Sequence, residues 1–343
     1  MKQADFLVIG SGIAGLTFAL EAADHGSVIL ITKKQETDSN TNYAQGGIAA
    51  VLSAEDSFER HIADTLEVGA GLCDRRAVEV MVREGPRRIR HLIELGVEFT
   101  HYWERDRRVL ALGREGGHSC PRIVHKADHT GREVEKTLVA RCREHPAIDI
   151  EEHSTAVDLM VDRSGDKPRC VGVVVLDPDE GMEAVLSRIT MLATGGCGRV
   201  YLHTTNPPIA SGDGIAMAFR AGAVVANLEF MQFHPTTLYI AGASRALITE
   251  TLRGEGAILL DSENRRFMED YHEAAELAPR DVVSRAILDR MLKTGSTHVY
   301  LDIRHFDKKH FARRFPVINE LCESFDIDVS KELIPVRPSA HYM

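Results

Sequence analysis

Near the amino terminus, Gly10-Ser11-Gly12-Ile13-Ala14-Gly15 has the spacing of a dinucleotide-binding turn. In such a turn the first glycine permits a tight bend. The second lets the backbone approach a pyrophosphate, and the third lets a helix pack close against a strand. The helix start then offers unpaired N–H groups and a positive dipole end to the phosphates. The motif is short, so its weight rests on its setting, between an apolar run at 5–9 and an apolar helical stretch at 13–23. The acid that usually binds a ribose at the end of the next strand is replaced by Thr32-Lys33-Lys34. Lys33 is open to two readings, contact with the cofactor or a solvated strand end.

Two more segments have suitable chemistry. Ser39-Asn40-Thr41-Asn42-Tyr43-Ala44-Gln45-Gly46-Gly47 combines small polar residues with paired glycines. Such a stretch brings backbone N–H groups to a flat ring or a phosphate, and also serves as an ordinary loop. Ala193-Thr194-Gly195-Gly196-Cys197-Gly198 is followed by Thr204-Thr205-Asn206-Pro207 and Gly212-Asp213-Gly214. A strand ending in glycines, then an acid at a helix start, suits the hydroxyls of a ribityl or ribose chain; a glycine-rich crossover reads the same way. His118, Cys120, His125 and His129 include an H-x3-H spacing, but a second cysteine is absent and Pro121 interrupts the run. No metal site is expected from them. No G-x-S-x-G elbow is present, which argues against a serine hydrolase.

The elements that must position these residues follow from periodicity. Strand at 5–9, helix at 13–23 and strand at 28–31 form a β-α-β unit and predict a parallel sheet. Residues 37–47 read as loop. Helices are expected at 75–95, ended by Gly96, at 133–143 and at 215–222. Strands at 156–176 around a polar turn at 162–167 suggest a meander, and 189–193 is a strand running into Thr194-Gly195-Gly196. From about Leu228 short strands, loops and helices replace the β-α rhythm. The expected division is therefore 1–227 and 228–343.

The chain has 343 residues, long enough for two domains. Its 44% hydrophobic and 27% charged residues are those of a globular protein. A net charge of −10 argues against nucleic-acid or membrane-surface binding. Six scattered cysteines with no C-x-x-C pair suit a reducing cytoplasm. No signal peptide is visible, and no stretch approaches the ~18 apolar residues of a membrane span.

Taken together and in order, the three glycine-bearing segments resemble the fumarate reductase/succinate dehydrogenase/L-aspartate oxidase flavoproteins. Further matching segments are Arg114-Glu115-Gly116-Gly117-His118-Ser119, Ala127-Asp128-His129-Thr130-Gly131, Gln232-Phe233-His234-Pro235-Thr236, Leu252-Arg253-Gly254-Glu255-Gly256-Ala257, Ala278-Pro279-Arg280-Asp281 and Ser339-Ala340-His341-Tyr342. The resemblance implies an α/β fold: a Rossmann-like FAD-binding domain with an inserted α+β capping domain. It implies FAD contacts from Gly10–Gly15, Lys33, Asn40–Gly47, Thr155, Ala156, Thr194, Gly195 and Asp213. Fumarate reductases and succinate dehydrogenases place a flavin-linked histidine where this chain has Asn40. An amide forms no such bond, so the FAD is expected to be non-covalent, as in L-aspartate oxidases.

The resemblance further implies a dicarboxylate pocket lined by Gln232, His234, Thr249 and Glu250. It places His341 on a carboxylate and Arg280 as the catalytic arginine. A guanidinium pKa above ~12 makes arginine a poor base, so Arg280 is read as acting through charge and positioning. Hydride can leave an amino acid's α-carbon for a flavin while the nitrogen lone pair pushes in, which needs a neutral amine and no carbon base. Glu115 is assigned to the amino group; a helix cap or surface acid is the plain alternative. The implied reaction is oxidation of L-aspartate to iminoaspartate with O2 or fumarate as acceptor. The product would feed quinolinate formation in NAD biosynthesis, with quinolinate synthase downstream. A soluble fumarate reductase and a non-catalytic FAD-binding remnant are the alternatives. Relatives carry a returning FAD-domain segment and a helical domain after the matched region, so the chain is expected to be C-terminally truncated.

Overall fold

The apolar run at the amino terminus forms the strand Lys2–Ile9, and Val28–Ile31 lies parallel beside it. The structure is a computed structural model that describes residues 2–179, 181–241 and 246–343. The two strands belong to a six-stranded sheet in the order Ile148–Glu151, Val28–Ile31, Lys2–Ile9, Gly181–Leu192, Arg169–Asp177, Thr155–Asp162. The first four are parallel and the last two antiparallel. The α/β expectation holds for this part of the molecule.

Gly181–Leu192 joins the two halves of that sheet. Its first half pairs antiparallel with Arg169–Asp177, and residues 185–192 pair parallel with Lys2–Ile9. The 189–193 strand read from sequence is therefore the far end of a longer strand, whose near end closes the meander. Leu7, Ile9, Ile29, Ile31, Val173, Val175, Val185 and Met217 form the core between these strands and the helix Asp213–Ala221. The helix Ile13–Ala23 coincides with its expected bounds and buries Gly15, Leu16, Ala19, Ala22 and Ala23.

Contacts divide the chain into two units, each gathered from separated segments. One comprises Met1–Tyr43, Arg132–Met231 and His341–Met343; the other comprises Ala44–Gly131 and Gln232–Ala340. This differs from a single cut near residue 228, because 44–131 groups with 232–340. Polar ties are among the contacts that join these two segments. Asp128 Oδ2 accepts from the Val317 and Ile318 N–H groups at 3.0 and 3.2 Å, at the start of the helix Pro316–Ser324. Arg314 donates to the Ala127 carbonyl at 3.1 Å.

The second unit is built around a four-stranded sheet, in the order Gln232–Leu238, Ile334–Tyr342, Val299–Asp302, Ile258–Leu260. Leu252, Leu259, Phe267, Val283, Ile287, Leu301, Phe311, Phe315 and Ile334 fill its core. The helix Arg280–Thr294 contributes Val283 and Ile287 to that core, which fixes where its first residue, Arg280, stands. Periodicity passed over the helix Phe58–Val68, capped by Ser57 Oγ accepting from the Arg60 N–H at 3.2 Å. It packs Ile62 against Val78 and Val82 of Arg75–Glu94.

Candidate functional site

In the first unit the carboxyl ends of three parallel strands converge. Gly10 N–H donates to the Ile31 carbonyl, and Ala193 N–H to the Ile9 carbonyl, both at 2.9 Å. The glycine turn, Thr32-Lys33 and Ala193-Thr194-Gly195 are thus brought to one edge, where open α/β sheets bind ligands. Gly10 adopts φ 111°, and a Cβ there would stand 2.3 Å from the Ala193 carbonyl oxygen. A Cβ on Gly15 would stand 1.9 Å from the Gly10 oxygen, so this glycine sets how closely helix meets strand. The helix Ile13–Ala23 begins on Gly12 with no side-chain cap. Its first amides are left to a ligand, apart from Ile13 N–H, which donates to Thr41 Oγ1 at 3.0 Å.

Around this edge, Ser11 Oγ donates to Thr32 Oγ1 at 3.1 Å. Lys33 Nζ reaches Asp213 Oδ2 at 2.8 Å and Ser211 Oγ at 2.9 Å, an ion pair at a helix start. A Cβ on Gly214 would collide with Thr194 Oγ1 at 1.8 Å, which ties the strand end to the Asp213 turn. Asn40 lies beside Gly195, 3.7 Å from where a Cβ would be. Thr155 and Ala156 open the edge strand Thr155–Asp162. Asn40 to Tyr43 count with this unit, Ala44 to Gly47 with the other. An uncapped helix start, side-chain-free approaches and a cation–acid pair fit the phosphates and hydroxyls of FAD.

Behind the Ser39–Asn42 turn sits Glu135, which is fully buried. Its carboxyl faces the Ser39 side chain and the Asn42 backbone. Burial pushes its pKa up to about 8, and Ser39 offsets only part of that. Sequence reading gave no sign of this residue.

The second unit gathers charge. Arg280 donates through Nε to Glu250 Oε2, through Nη1 to Gln232 Oε1 at 2.8 Å, and through Nη2 to Glu115 Oε2 at 3.4 Å. Glu250 Oε1 accepts from the Gly116 N–H at 2.8 Å, an approach that a Cβ on Gly116 would block at 2.6 Å. Arg253 Nη2 lies 3.7 Å from Glu250 Oε2, and both side chains are buried. Burial raises the Glu250 pKa, but the Arg280 and Arg253 guanidiniums outweigh it and hold the carboxylate ionised. Glu115 is opposite: burial, then the neighbouring Glu250 charge, pushes its pKa up. It is the acid of the pair that takes up a proton more readily. Arg280 stays charged because Glu250 and Glu115 overcome its burial.

Thr249 and His234 are buried in the same unit. His234 Nδ1 accepts from the Thr236 N–H at 3.2 Å, so the neutral ring carries its hydrogen on Nε2. His341 counts with the first unit, where its Nδ1 lies 2.7 Å from Thr205 Oγ1. Four of the expected pocket residues, Glu115, Gln232, Glu250 and Arg280, are therefore in one hydrogen-bonded cluster. Arg253 is the member that sequence reading left without a role. Its signal was the Glu250-x-x-Arg253 spacing, which puts the two on one turn.

The histidines weighed as zinc ligands go elsewhere. Cys120 Sγ and the fully buried Arg122 both reach Asp56, and Arg122 Nη1 reaches Asp64 Oδ2 at 2.7 Å. His118 stacks edge-on to His61, with its pKa lowered to about 4 by burial and by Arg122. Among the described residues no group of three or more metal-ligating side chains occurs.

The FAD binding domain family matches residues 5–343. The chain is 48% identical to the chloroplastic L-aspartate oxidase 2-a of Nicotiana tabacum, over 99% of its own length and 54% of that protein. It is 49% identical to L-aspartate oxidase 1 of Ralstonia nicotianae, over 98% of its length and 64% of that protein. It therefore spans between half and two thirds of the curated relatives it matches. Among solved structures, a mutant of E. coli quinol fumarate reductase FrdA superposes with a TM-score of 0.91 at 35% identity. That match covers 100% of this chain and 61% of the other.

Proposed function

The chain belongs to the FAD-binding-domain family, and we propose that within it this polypeptide oxidises L-aspartate to iminoaspartate. Electrons would pass through non-covalent FAD to O2 or fumarate. The observation that carries the reading is Glu115, a buried acid with a raised pKa held beside the Arg280 guanidinium. A dicarboxylate without an amino group has no use for a second acid there, whereas an α-ammonium needs one. The identity to L-aspartate oxidases supports the same reading.

Bound FAD supplies the two-electron acceptor at the crevice of the first unit. Arg280 offers a charged fork to a substrate carboxylate, and Glu250 and Gln232 fix the direction of that fork. Thr249 and His234 provide further polar contacts for the dicarboxylate within the same unit. Glu115 takes one N–H proton from the ammonium, leaving the nitrogen lone pair free to push as the C–H bond breaks. No carbon base is required, which suits a cluster whose remaining members are two guanidiniums, the Gln232 amide and a Glu250 carboxylate already bound to Arg280 and the Gly116 N–H. The product imine would be passed to a condensing enzyme, with quinolinate synthase the proposed consumer. No helix among the described residues is long and apolar enough to cross a membrane. Six unpaired cysteines favour a reducing compartment such as the cytoplasm.

Glu115→Gln tests the reading. Losing a charge-assisted hydrogen bond to the ammonium costs about 1.5–3 kcal/mol, a fall of about 10- to 100-fold in kcat/KM for aspartate. Fumarate reduction by the same variant should change by less than about threefold. Equal losses in both would favour a fumarate reductase.

A further inference from the structure

Glu115 has a second neighbourhood, away from Arg280. Residues 45–47, 113–115, 123, 125 and 127, with Thr251 and Arg314, line a small recess open to solvent, with about 10 Å³ of room for a water centre, enough for about one molecule. Glu115 is in its wall, and Gly46 leaves that carboxyl open: a Cβ there would sit 3.3 Å from Glu115 Oε1. Two buried polar atoms in the same wall, Gln45 Oε1 and His125 Nδ1, have no hydrogen-bond partner among the described residues. His125 is 8% exposed. Buried polar atoms left without protein partners are ordinarily satisfied by water where the site is roomy enough.

We propose that this recess is a hydrated proton-exit site for Glu115, in which Gln45 Oε1 and His125 Nδ1 hold the water that accepts the proton taken from the substrate. The proposal rests on the reading of Glu115 as the group that receives an ammonium proton. One N–H bond of the ammonium breaks and an O–H bond forms on Glu115. The carboxylic acid then gives that proton to the held water, which passes a proton to solvent through the opening, and Glu115 returns to its carboxylate. No electrons move in these steps. Gln45 and His125 act through the water and are positioning residues. His125 is held neutral by burial and by Arg314, with its pKa lowered to about 4. It therefore does not compete with Glu115 for the proton. The Arg114 and Arg314 side chains in the wall make a lasting positive charge in the recess unfavourable, which favours release over retention.

Two measurements on the FAD-loaded protein test this. A high-resolution crystal structure should show an ordered water within hydrogen-bond distance of both Gln45 Oε1 and His125 Nδ1; a dry recess overturns the proposal. Rapid-mixing measurement of flavin reduction by L-aspartate should then show His125→Phe and Gln45→Met slowed about tenfold. The Kd for succinate should stay within about twofold, and His125→Asn, which keeps a polar anchor, should recover most of the rate. Unchanged rates in both variants, or equal losses of rate and succinate affinity, overturn the exit role. If the unaltered protein shows no flavin reduction with aspartate, the reading of the reaction itself fails, and the exit role fails with it. A wet recess with normal aspartate reduction and unaffected variants removes only the exit role.

Discussion

In the first unit the decisive contacts at the nucleotide edge are made by backbone. Gly10, Gly15 and Gly214 matter because each stands where a Cβ would strike a neighbouring strand or side chain. The uncapped helix at Gly12 offers amides rather than a charged group. In the second unit the order is reversed. Arg280, Glu250, Arg253 and Glu115 come from three distant segments, and their value lies in which charges end up facing one another. A backbone site is tolerant of charge and intolerant of volume. A side-chain site tolerates little change of charge and draws its pKa values from mutual burial. The first suits a cofactor that must stay; the second suits a substrate that must react and leave.

Three substitutions sharpen or break this contrast. Gly15→Val should have the largest effect. Its Cβ would stand 1.9 Å from a backbone oxygen that cannot retreat. FAD binding should be lost and stability should fall by at least about 3 kcal/mol, measured by flavin retention and denaturant unfolding. Retained FAD would show that the backbone edge is more yielding than described. Arg280→Lys keeps the charge but removes the planar fork to Glu250, Gln232 and Glu115. Turnover should drop about 10²- to 10³-fold with FAD binding unchanged. A parallel loss of FAD would mean that the two sites do not have separate tasks.

Glu135→Gln probes the exception, a buried acid in the backbone-built unit. Its folded pKa of about 8 lies above the ordinary glutamate value of 4.5. The unfolded state therefore releases this proton first as pH rises. Stability contributed by the protonated group is full below about pH 4.5 and is lost as pH climbs to about 8. The glutamine variant should be more stable than the parent by about 1–3 kcal/mol at neutral pH, with the gap closing toward pH 4.5. Thermal unfolding across that range checks both the sign and the window.

The same contrast explains what was legible in the sequence. The β-α-β unit and the helix at 13–23 were readable because local periodicity and the glycine spacing specify them without outside help. Even Lys33, left with two readings, had its partner Asp213 within another recognisable glycine turn. The charge cluster was not readable from spacing. Glu115 and Arg280 are 165 residues apart, and only a resemblance to known flavoproteins named them together. Arg253 and Glu135 escaped because their importance comes from burial, which no local pattern reports. The grouping of 44–131 with 232–340 escaped for a similar reason: contacts between segments far apart in sequence, such as Asp128 to the Val317 and Ile318 amides, leave no local pattern.

The direct test is an anaerobic addition of L-aspartate to the FAD-loaded protein while the flavin absorbance is followed. The account predicts that the visible band bleaches with aspartate and stays unchanged with succinate at the same concentration. A bound flavin that remains oxidised in aspartate, or that bleaches equally with succinate, would contradict it.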